Sequence, residues 1–195
     1  ALSVPSGPLN CESSSDILEN VIVPNPELTR EQLIESYHHF GKERSQWRVG
    51  AEFERIGAHP DGRQLDYSEP GGIADILAEL QSSHHWKPVF EGSNVIGLER
   101  DGAHMTLEPG AQLELATRPH RSLHALGQEV LENFDEVQAA THSSGVEWIA
   151  TGVSPYSAPD EVEWVPKGRY RIMRDYLPQQ GELATVMMKS TSSFQ

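Results

Sequence analysis

The sequence predicts an α+β fold in which helices pack on one face of an antiparallel sheet. Two observations support this prediction. Short segments alternate apolar and polar residues and are separated by turn residues, and segments with an apolar stripe at helical spacing lie between them. Strands that bury one face and wet the other are typical of antiparallel sheets.

The first predicted element is a helix that begins at Thr29. The letters TREQ form a capping box, in which Thr29 is the N-cap and Gln32 reaches back to it. Leu33, Tyr37 and Phe40 follow at helical spacing. Residues 1–27, dominated by Pro, Ser, Gly and Asn, are expected to form a disordered arm.

A strand is predicted next, from Trp47 to Ile56, and then a helix in the letters GGIADILAEL. Alternation in the strand places one set of residues on an apolar face, namely Val49, Ala51 and Phe53. The opposite face carries Glu52, Glu54 and Ile56. The inner stripe of the helix consists of Ile73, Ile76, Leu77 and Leu80.

A hairpin and a further strand follow. Asp101-Gly102 predicts a tight turn between NVIGLER and AHMTLE, because both residue types tolerate positive φ. In AQLELAT, Leu113 and Leu115 share one face, and Gln112 and Glu114 share the other.

The last predicted elements are a long helix, a strand in VEWIATGV and a short helix in RYRIMRDYL that ends before Pro178. The long helix runs from about Ser122 to His142, with a stripe of Leu123, Leu126, Val130, Phe134, Val137 and Thr141. The final letters, MMKSTSSFQ, are interpreted as the beginning of another strand.

Composition excludes several classes of function. The net charge of −14 argues against a nucleic-acid partner, because phosphate binding needs clustered Lys and Arg. No apolar run approaches the length of a membrane span, so no membrane association is expected. Cys11 is the only cysteine, and the N-terminus resembles neither a secretory signal nor a transit peptide, so a cytoplasmic location is expected.

Two of the predicted strands carry carboxylates on one face. Amphipathic antiparallel strands usually expose that face to water, so a solvated surface is one interpretation. The other is a concave Mg²⁺ site, because hard cations prefer carboxylate oxygens. The candidate ligands are Glu52, Glu54, Glu108 and Glu114.

A basic cluster stands out in an otherwise acidic chain, and it consists of Lys167, Arg169, Arg171 and Arg174. It is either a solvated face or an anion site. In the second case Arg would clamp a carboxylate or phosphate, and the helix start at Gly168 would offer backbone N–H groups.

Three segments together resemble the glutamate–cysteine ligases of the plant and proteobacterial type. They are WRVGAEFERIG, EGSNVIGLERDGAHMTLEPGAQLEL and VPKGRYRIMRDYLPQQGELATVMMKSTSSFQ. The resemblance runs from about Leu28 to Gln195, and it implies that 28–195 is the N-terminal part of a single ligase catalytic domain. The implied fold is similar to glutamine synthetase and other carboxylate–amine ligases, and it is incomplete at the C-terminal end.

The resemblance implies an ATP- and Mg²⁺-dependent reaction. ATP phosphorylates the γ-carboxylate of glutamate, and the amine of cysteine attacks the acyl phosphate to give γ-glutamylcysteine, the precursor of glutathione. Glutamate, cysteine and ATP are therefore the expected partners, and the oligomeric state stays open. The alternatives are a non-catalytic acidic binding module, a metal-dependent hydrolase, and a ligase that uses a different amine.

The resemblance also assigns roles to individual residues. Catalytic roles fall to Glu52, Glu54 and Arg169, and the implied metal ligands are Glu52, Glu54 and Glu114. Substrate binding is implied for Glu108, Gly110, Gln112, Lys167, Arg169 and Tyr170. The chain departs from the family pattern at Ala111, where a glycine is common, and at Arg118, which is expected to add a charge near the site.

Overall fold

The computed structural model describes residues 28–189, and the predicted arm at 1–27 lies outside them. The chain divides into two compact units at Gln46 and Trp47. In the first unit, helix α1 (Arg30–His39) is followed by a 3₁₀ turn at Arg44–Gln46. Both hydrogen bonds of the predicted capping box at Thr29 and Gln32 are present, which confirms the helix start. No residue of α1 is buried.

The second unit is built on a six-stranded sheet in the order β2-β3-β4-β5-β1-β6, in which every neighbouring pair is antiparallel. The α+β prediction is thereby confirmed. The strands are β1 (Glu52–Ala58), β2 (Lys87–Glu91), β3 (Asn94–Arg100), β4 (Ala103–Leu107), β5 (Leu113–Ala116) and β6 (Glu147–Ile149).

Two helices supply the apolar layer against this sheet, α2 (Ile73–His84) and α3 (Leu123–Thr141), and a shorter helix α4 (Gly168–Tyr176) follows β6. The predicted stripe of α2 is confirmed, because all four of its members are buried. The core continues from α2 and α3 into alternate residues of the strands, which are Leu98, Met105, Leu107, Leu113 and Leu115.

The register of the strands gives the sheet two chemically different faces. One row across β3, β4, β5 and β1 consists of Leu98, Met105, Leu115 and Phe53, all of which are buried. The neighbouring row consists of Gly97, Thr106, Glu114 and Glu54. Because side chains of successive residues point to opposite faces, the second row lies on the face away from α3.

The apolar face of β1 contains a cation that the sequence did not suggest. Arg55 is only 1% exposed, and burial lowers the pKa of its guanidinium to about 10. The guanidinium lies 5.0 Å from the ring centre of Phe134 and 5.5 Å from that of Trp148. Its Nη2 donates a hydrogen bond to Oδ1 of Asn133 on α3. The expectation of a wholly apolar face on this strand is therefore wrong.

Three other details differ from the sequence predictions. The first strand begins at Glu52 rather than Trp47, because the preceding residues form only an isolated bridge between Val49 and His120. Leu123 is 73% exposed, because it is the first residue of α3 and lies before the buried stripe. Glu182–Lys189 forms a 3₁₀ helix rather than the start of a strand, and 190–195 lie outside the described residues.

None of the helices formed by residues 28–189 has the length and apolar character needed to cross a membrane.

The buried contact between Arg55 and Asn133 generates a stability prediction. Asn133→Leu leaves a buried guanidinium without its amide acceptor, so we expect the free energy of unfolding to fall by about 2 to 4 kcal/mol. Replacing the cation as well, in Arg55→Met with Asn133→Leu, should recover most of this loss, because an apolar pair of similar volume is tolerated in a core.

Urea unfolding of the two variants measures these differences, and Gln138→Leu, at an exposed position of the same helix, is the control. A double variant no more stable than Asn133→Leu alone would contradict the assignment.

Candidate functional site

The centre of the candidate site is a pair of carboxylates that face each other across two strands. Glu54 on β1 is directly opposite Glu114 on β5, and Thr106 on β4 is the next residue in the same row. Glu54 is only 8% exposed, and Glu114 is partly buried. Residues opposite each other on neighbouring strands have Cβ atoms about 5 Å apart, so the two charges repel unless another group compensates for them.

The surroundings of Glu114 show this repulsion. Burial raises the pKa of Glu114, and the charges of Glu108, Glu52 and Glu54 raise it further. The hydroxyl of Thr106 opposes the shift, because its Oγ1 donates a hydrogen bond to Oε1 of Glu114 over 3.0 Å. The predicted carboxylates therefore act on one another.

Glu108 follows the end of β4 and joins the same electrostatic cluster. Burial raises its pKa, and the charge of Glu54 adds to the effect, whereas Lys167 and Arg169 lower it. Glu52 is the exposed member of the group, at the edge of an open depression that it shares with Gly50 and Thr117. The four carboxylates that the sequence singled out thus lie on one side of the sheet.

A tight turn connects Glu108 to β5. The N–H of Glu108 donates to the carbonyl of Gln112 over 3.0 Å, and the N–H of Ala111 donates to the carbonyl of Glu108 over 2.9 Å. Ala111 has a positive φ of 64°, a region that glycine adopts without the steric cost of a Cβ atom. Gly110 and Gln112 are buried, so the turn is a fixed part of the site.

The start of α4 places cations beside these carboxylates. Lys167 is 9% exposed, and its Nζ donates to the carbonyl of Leu107 over 2.7 Å. The hydroxyl of Tyr170 donates to the same carbonyl over 2.6 Å, and Nη2 of Arg169 donates to that hydroxyl over 3.0 Å. These contacts join the first turn of α4 to the end of β4, next to Glu108.

The protonation states of these groups depend on the same contacts. Burial lowers the pKa of Lys167, as does the neighbouring charge of Arg169, whereas Glu108 and Glu114 raise it. Burial raises the pKa of Tyr170 to about 12, so its phenol stays protonated and can donate at neutral pH. The site therefore combines clustered acids with a cationic edge, which consists of Lys167 and Arg169.

The other arginines of the predicted basic cluster border separate depressions. Arg171 shares a groove with Lys167, Gly168 and Glu91, and Arg174 borders a large depression lined by Trp164 and Leu177.

Arg118 lies 3.3 Å from Glu129 of α3, measured from Nε to Oε1, and it borders a cavity with Asn133 on the apolar side of the sheet. The expectation that Arg118 adds a charge near the carboxylates is wrong, because Glu129 holds it on the other face.

The donor set on the carboxylate face is suited to a hard cation. Across 28–189, no group of three or more His, Cys, Asp or Glu side chains is arranged as a metal cage. Mg²⁺ does not require one, because it is commonly held by one or two carboxylates together with water and substrate phosphates. The facing pair Glu54 and Glu114 supplies two carboxylates on one face of the sheet, which fits that mode of binding.

Two polar residues of the site were missed at the level of sequence. Thr106 could have been found, because alternation in AHMTLE places it on the face opposite Met105 and Leu107. Gln64 gives no such signal. Its buried side chain donates from Nε2 to the carbonyl of Gly110 over 2.5 Å, although 46 residues separate the two in sequence.

Comparison with known families gives one match for this part of the chain. The family described as Glutamate-cysteine ligase family 2 (GCS2) matches residues 48–195, which include every strand and every proposed site residue. The chain therefore belongs to glutamate–cysteine ligase family 2.

Individual relatives agree with this assignment. The chain is 33% identical over 184 residues to the chloroplastic glutamate–cysteine ligase of Brassica juncea, covering 94% of this chain and 35% of the relative. It is 33% identical over 190 residues to that of Nicotiana tabacum, covering 97% and 36%. It is 34% identical over 184 residues to glutamate–cysteine ligase A of Oryza sativa subsp. japonica, covering 94% and 37%. The chain thus spans about a third of the length of these relatives.

The positive φ of Ala111 generates a second prediction. Glycine removes the clash of Cβ in the left-handed region but adds backbone entropy to the unfolded chain, so the two effects partly offset each other. We expect Ala111→Gly to change the free energy of unfolding by about 0 to 1 kcal/mol in the stabilising direction.

Ala103→Gly, at a buried position of β4, is the matched control and should lose about 1 kcal/mol or more. Equal losses in the two variants, measured by urea unfolding, would show that Ala111 is not strained.

The raised pKa of Glu114 generates a pH prediction. Because the folded state binds this proton more tightly than the unfolded chain, the contribution is fully present below the usual pKa of 4.5 and is lost as the pH rises through the raised value. In Glu114→Gln we expect a smaller loss of stability between about pH 4.5 and 7.

Urea unfolding across this range measures the slope, and Glu99→Gln, an exposed carboxylate of β3, should keep the slope of the unsubstituted protein. An unchanged slope in Glu114→Gln would contradict the electrostatic description of the site.

Proposed function

We propose that the carboxylate face belongs to the active site of an ATP-dependent glutamate–cysteine ligase, which joins the γ-carboxylate of glutamate to the amine of cysteine. The observation that carries the proposal is the row of Glu54, Glu114 and Thr106 with Lys167 and Arg169 beside it. The relatives are named for this activity, and the chain matches them over the segment that contains the row.

The reaction explains why acids and bases are needed together. Glutamate and ATP are both anionic, so an acidic face would repel them unless Mg²⁺ lies between. When bound, Mg²⁺ supplies charge neutralisation during phosphoryl transfer. Glu52, Glu54 and Glu114 are the residues that would hold it. Their carboxylate oxygens are the ligand type that this ion prefers.

The other residues are suited to bind and orient glutamate. Arg169 is exposed at the start of α4 and can pair with a substrate carboxylate through two N–H groups. Its hydrogen bond to Tyr170 fixes one edge of the guanidinium. Lys167 adds positive charge from a buried position, and the rigid turn at Gly110 and Gln112 forms the wall that glutamate would approach.

Several finer assignments belong to the same proposal. The sheet is consistent with a glutamine synthetase-like ligase fold, and an acyl phosphate of glutamate is the proposed intermediate. A cytoplasmic location stays a prediction, and the relatives carry the name chloroplastic. Ala111 lies within the turn, and its departure from the family pattern would alter the choice of amine.

Phosphate release by the full-length protein tests the proposal. With ATP and Mg²⁺, we expect release to require glutamate and to be accompanied by γ-glutamylcysteine when cysteine is added. A non-catalytic binding module would release no phosphate. A hydrolase would release it without glutamate, and a ligase for another amine would make no γ-glutamylcysteine.

The two carboxylates of β1, Glu52 and Glu54, generate a mutational prediction. Glu52→Gln and Glu54→Gln in the full-length protein should each lower kcat by about 100-fold or more. Each substitution removes a carboxylate that would hold the Mg²⁺ ion, and this ion neutralises the negative charge that develops during phosphoryl transfer. Circular dichroism and the unfolding midpoint should change little, since the amide keeps the size of the side chain.

Glu99→Gln removes an exposed carboxylate from the same sheet and should keep normal turnover. Turnover near that of the unsubstituted protein in either Glu52→Gln or Glu54→Gln would exclude that residue from the proposed metal face.

A further inference from the structure

A carboxylate outside the proposed machinery contacts the helix that carries the cationic edge. Glu91, the last residue of β2, accepts a hydrogen bond through Oε1 from the N–H of Gly168 over 2.6 Å. Gly168 is the first residue of α4, and the two residues are 77 apart in sequence. The hairpin between β2 and β3 is thus joined directly to the N-terminal turn of α4.

The local chemistry favours this contact. The first N–H groups of a helix have no partner within the helix and carry partial positive charge, so a carboxylate there is stabilising. Gly168 leaves room for the carboxylate, because a Cβ at this position would lie 2.9 Å from Oε1 of Glu91. The N-cap residue, Lys167, makes no side-chain capping bond. Glu91 on β2 therefore acts as the side-chain acceptor at the start of this helix.

The contact completes the attachment of the first turn of α4. Lys167 and Tyr170 both donate to the carbonyl of Leu107, which fixes the turn to the end of β4. Both of these bonds end on one acceptor atom, at the last residue of β4. The bond from Gly168 to Glu91 adds a second attachment point, on β2. In sequence, Gly168 lies between Lys167 and Tyr170, the two residues that bind the carbonyl of Leu107.

We propose that Glu91 is a positioning residue that orients the start of α4, so that Arg169 faces the carboxylate row in the geometry needed for substrate. This inference rests on the proposed function, in which Arg169 binds the carboxylate of glutamate. Glu91 itself does not touch the substrate in this proposal. Glu91 acts through the backbone of Gly168, and it does so by accepting a hydrogen bond from the N–H of that residue.

Steady-state kinetics of the full-length protein distinguish positioning from a general structural role. In Glu91→Ala we expect KM for glutamate to rise about 10-fold, with kcat and KM for ATP within about threefold of normal, because only the orientation of Arg169 is relaxed. Glu91→Gln keeps an acceptor of the same length and should restore KM for glutamate to within about threefold. Glu99→Gln, on the same hairpin, is the matched charge control.

Amide hydrogen exchange provides a readout that does not depend on activity. Removal of the acceptor in Glu91→Ala should speed exchange at the N–H of Gly168 at least about 10-fold relative to Glu91→Gln, since the amide then opens to water. A KM for glutamate and a Gly168 exchange rate in Glu91→Ala that both equal those of the unsubstituted protein would overturn the positioning role.

Equal impairment of Glu91→Gln and Glu91→Ala would also overturn it, because the charge rather than the acceptor would then be responsible. An unsubstituted protein without glutamate-dependent phosphate release would instead contradict the proposed function, so the two failures are distinguishable.

Discussion

The structure depends on the register in which β1 pairs with β5. This register places Glu54 opposite Glu114, and a shift of β1 by one residue would turn Glu54 toward the core. Two facing negative charges are unfavourable in a folded sheet, and burial, together with the charges of the neighbouring glutamates, raises the pKa of Glu114. The same clustered negative charge favours the binding of a cation. The repulsion that destabilises the row is therefore also the basis of its proposed function.

The opposite face of β1 helps to fix this register. Arg55 is held among Phe134 and Trp148 and by the amide of Asn133, so a shifted strand would move a buried cation out of its contacts. Charged residues therefore lie on both sides of the strand. The core specifies the alignment of β1, and the alignment in turn presents the acids.

Sequence patterns predicted most of the elements and the identity of the acidic face. Alternation and helical spacing are local properties, and they sufficed for the stripe of α2 and for the turn at Asp101-Gly102, where both residues have positive φ. The carboxylates themselves left two interpretations open, and the choice between them came from the family resemblance. Register between strands is a long-range property, so the facing of Glu54 and Glu114 could not be derived from either strand alone.

The remaining differences have similar causes. The alternation of β1 places Arg55 on the core side. The aromatic rings around it, Phe134 and Trp148, come from distant parts of the chain, so no local pattern predicts the contact. Arg118 was expected near the site because it departs from the pattern of the family that the sequence resembles, whereas its partner Glu129 lies on α3. Gln64 and Glu91 reach Gly110 and Gly168 through contacts between distant residues, which no local pattern encodes.

Glu54 and Glu114 together are proposed to form the wall of a cation site. Anomalous diffraction from crystals of the full-length protein, soaked with Mn²⁺ and a non-hydrolysable ATP analogue, can locate the ion. We expect a peak at bonding distance from carboxylate oxygens of both residues, and loss of that peak in Glu54→Gln. A peak elsewhere, with both carboxylates in contact only with water or protein, would show that they do not form a cation site.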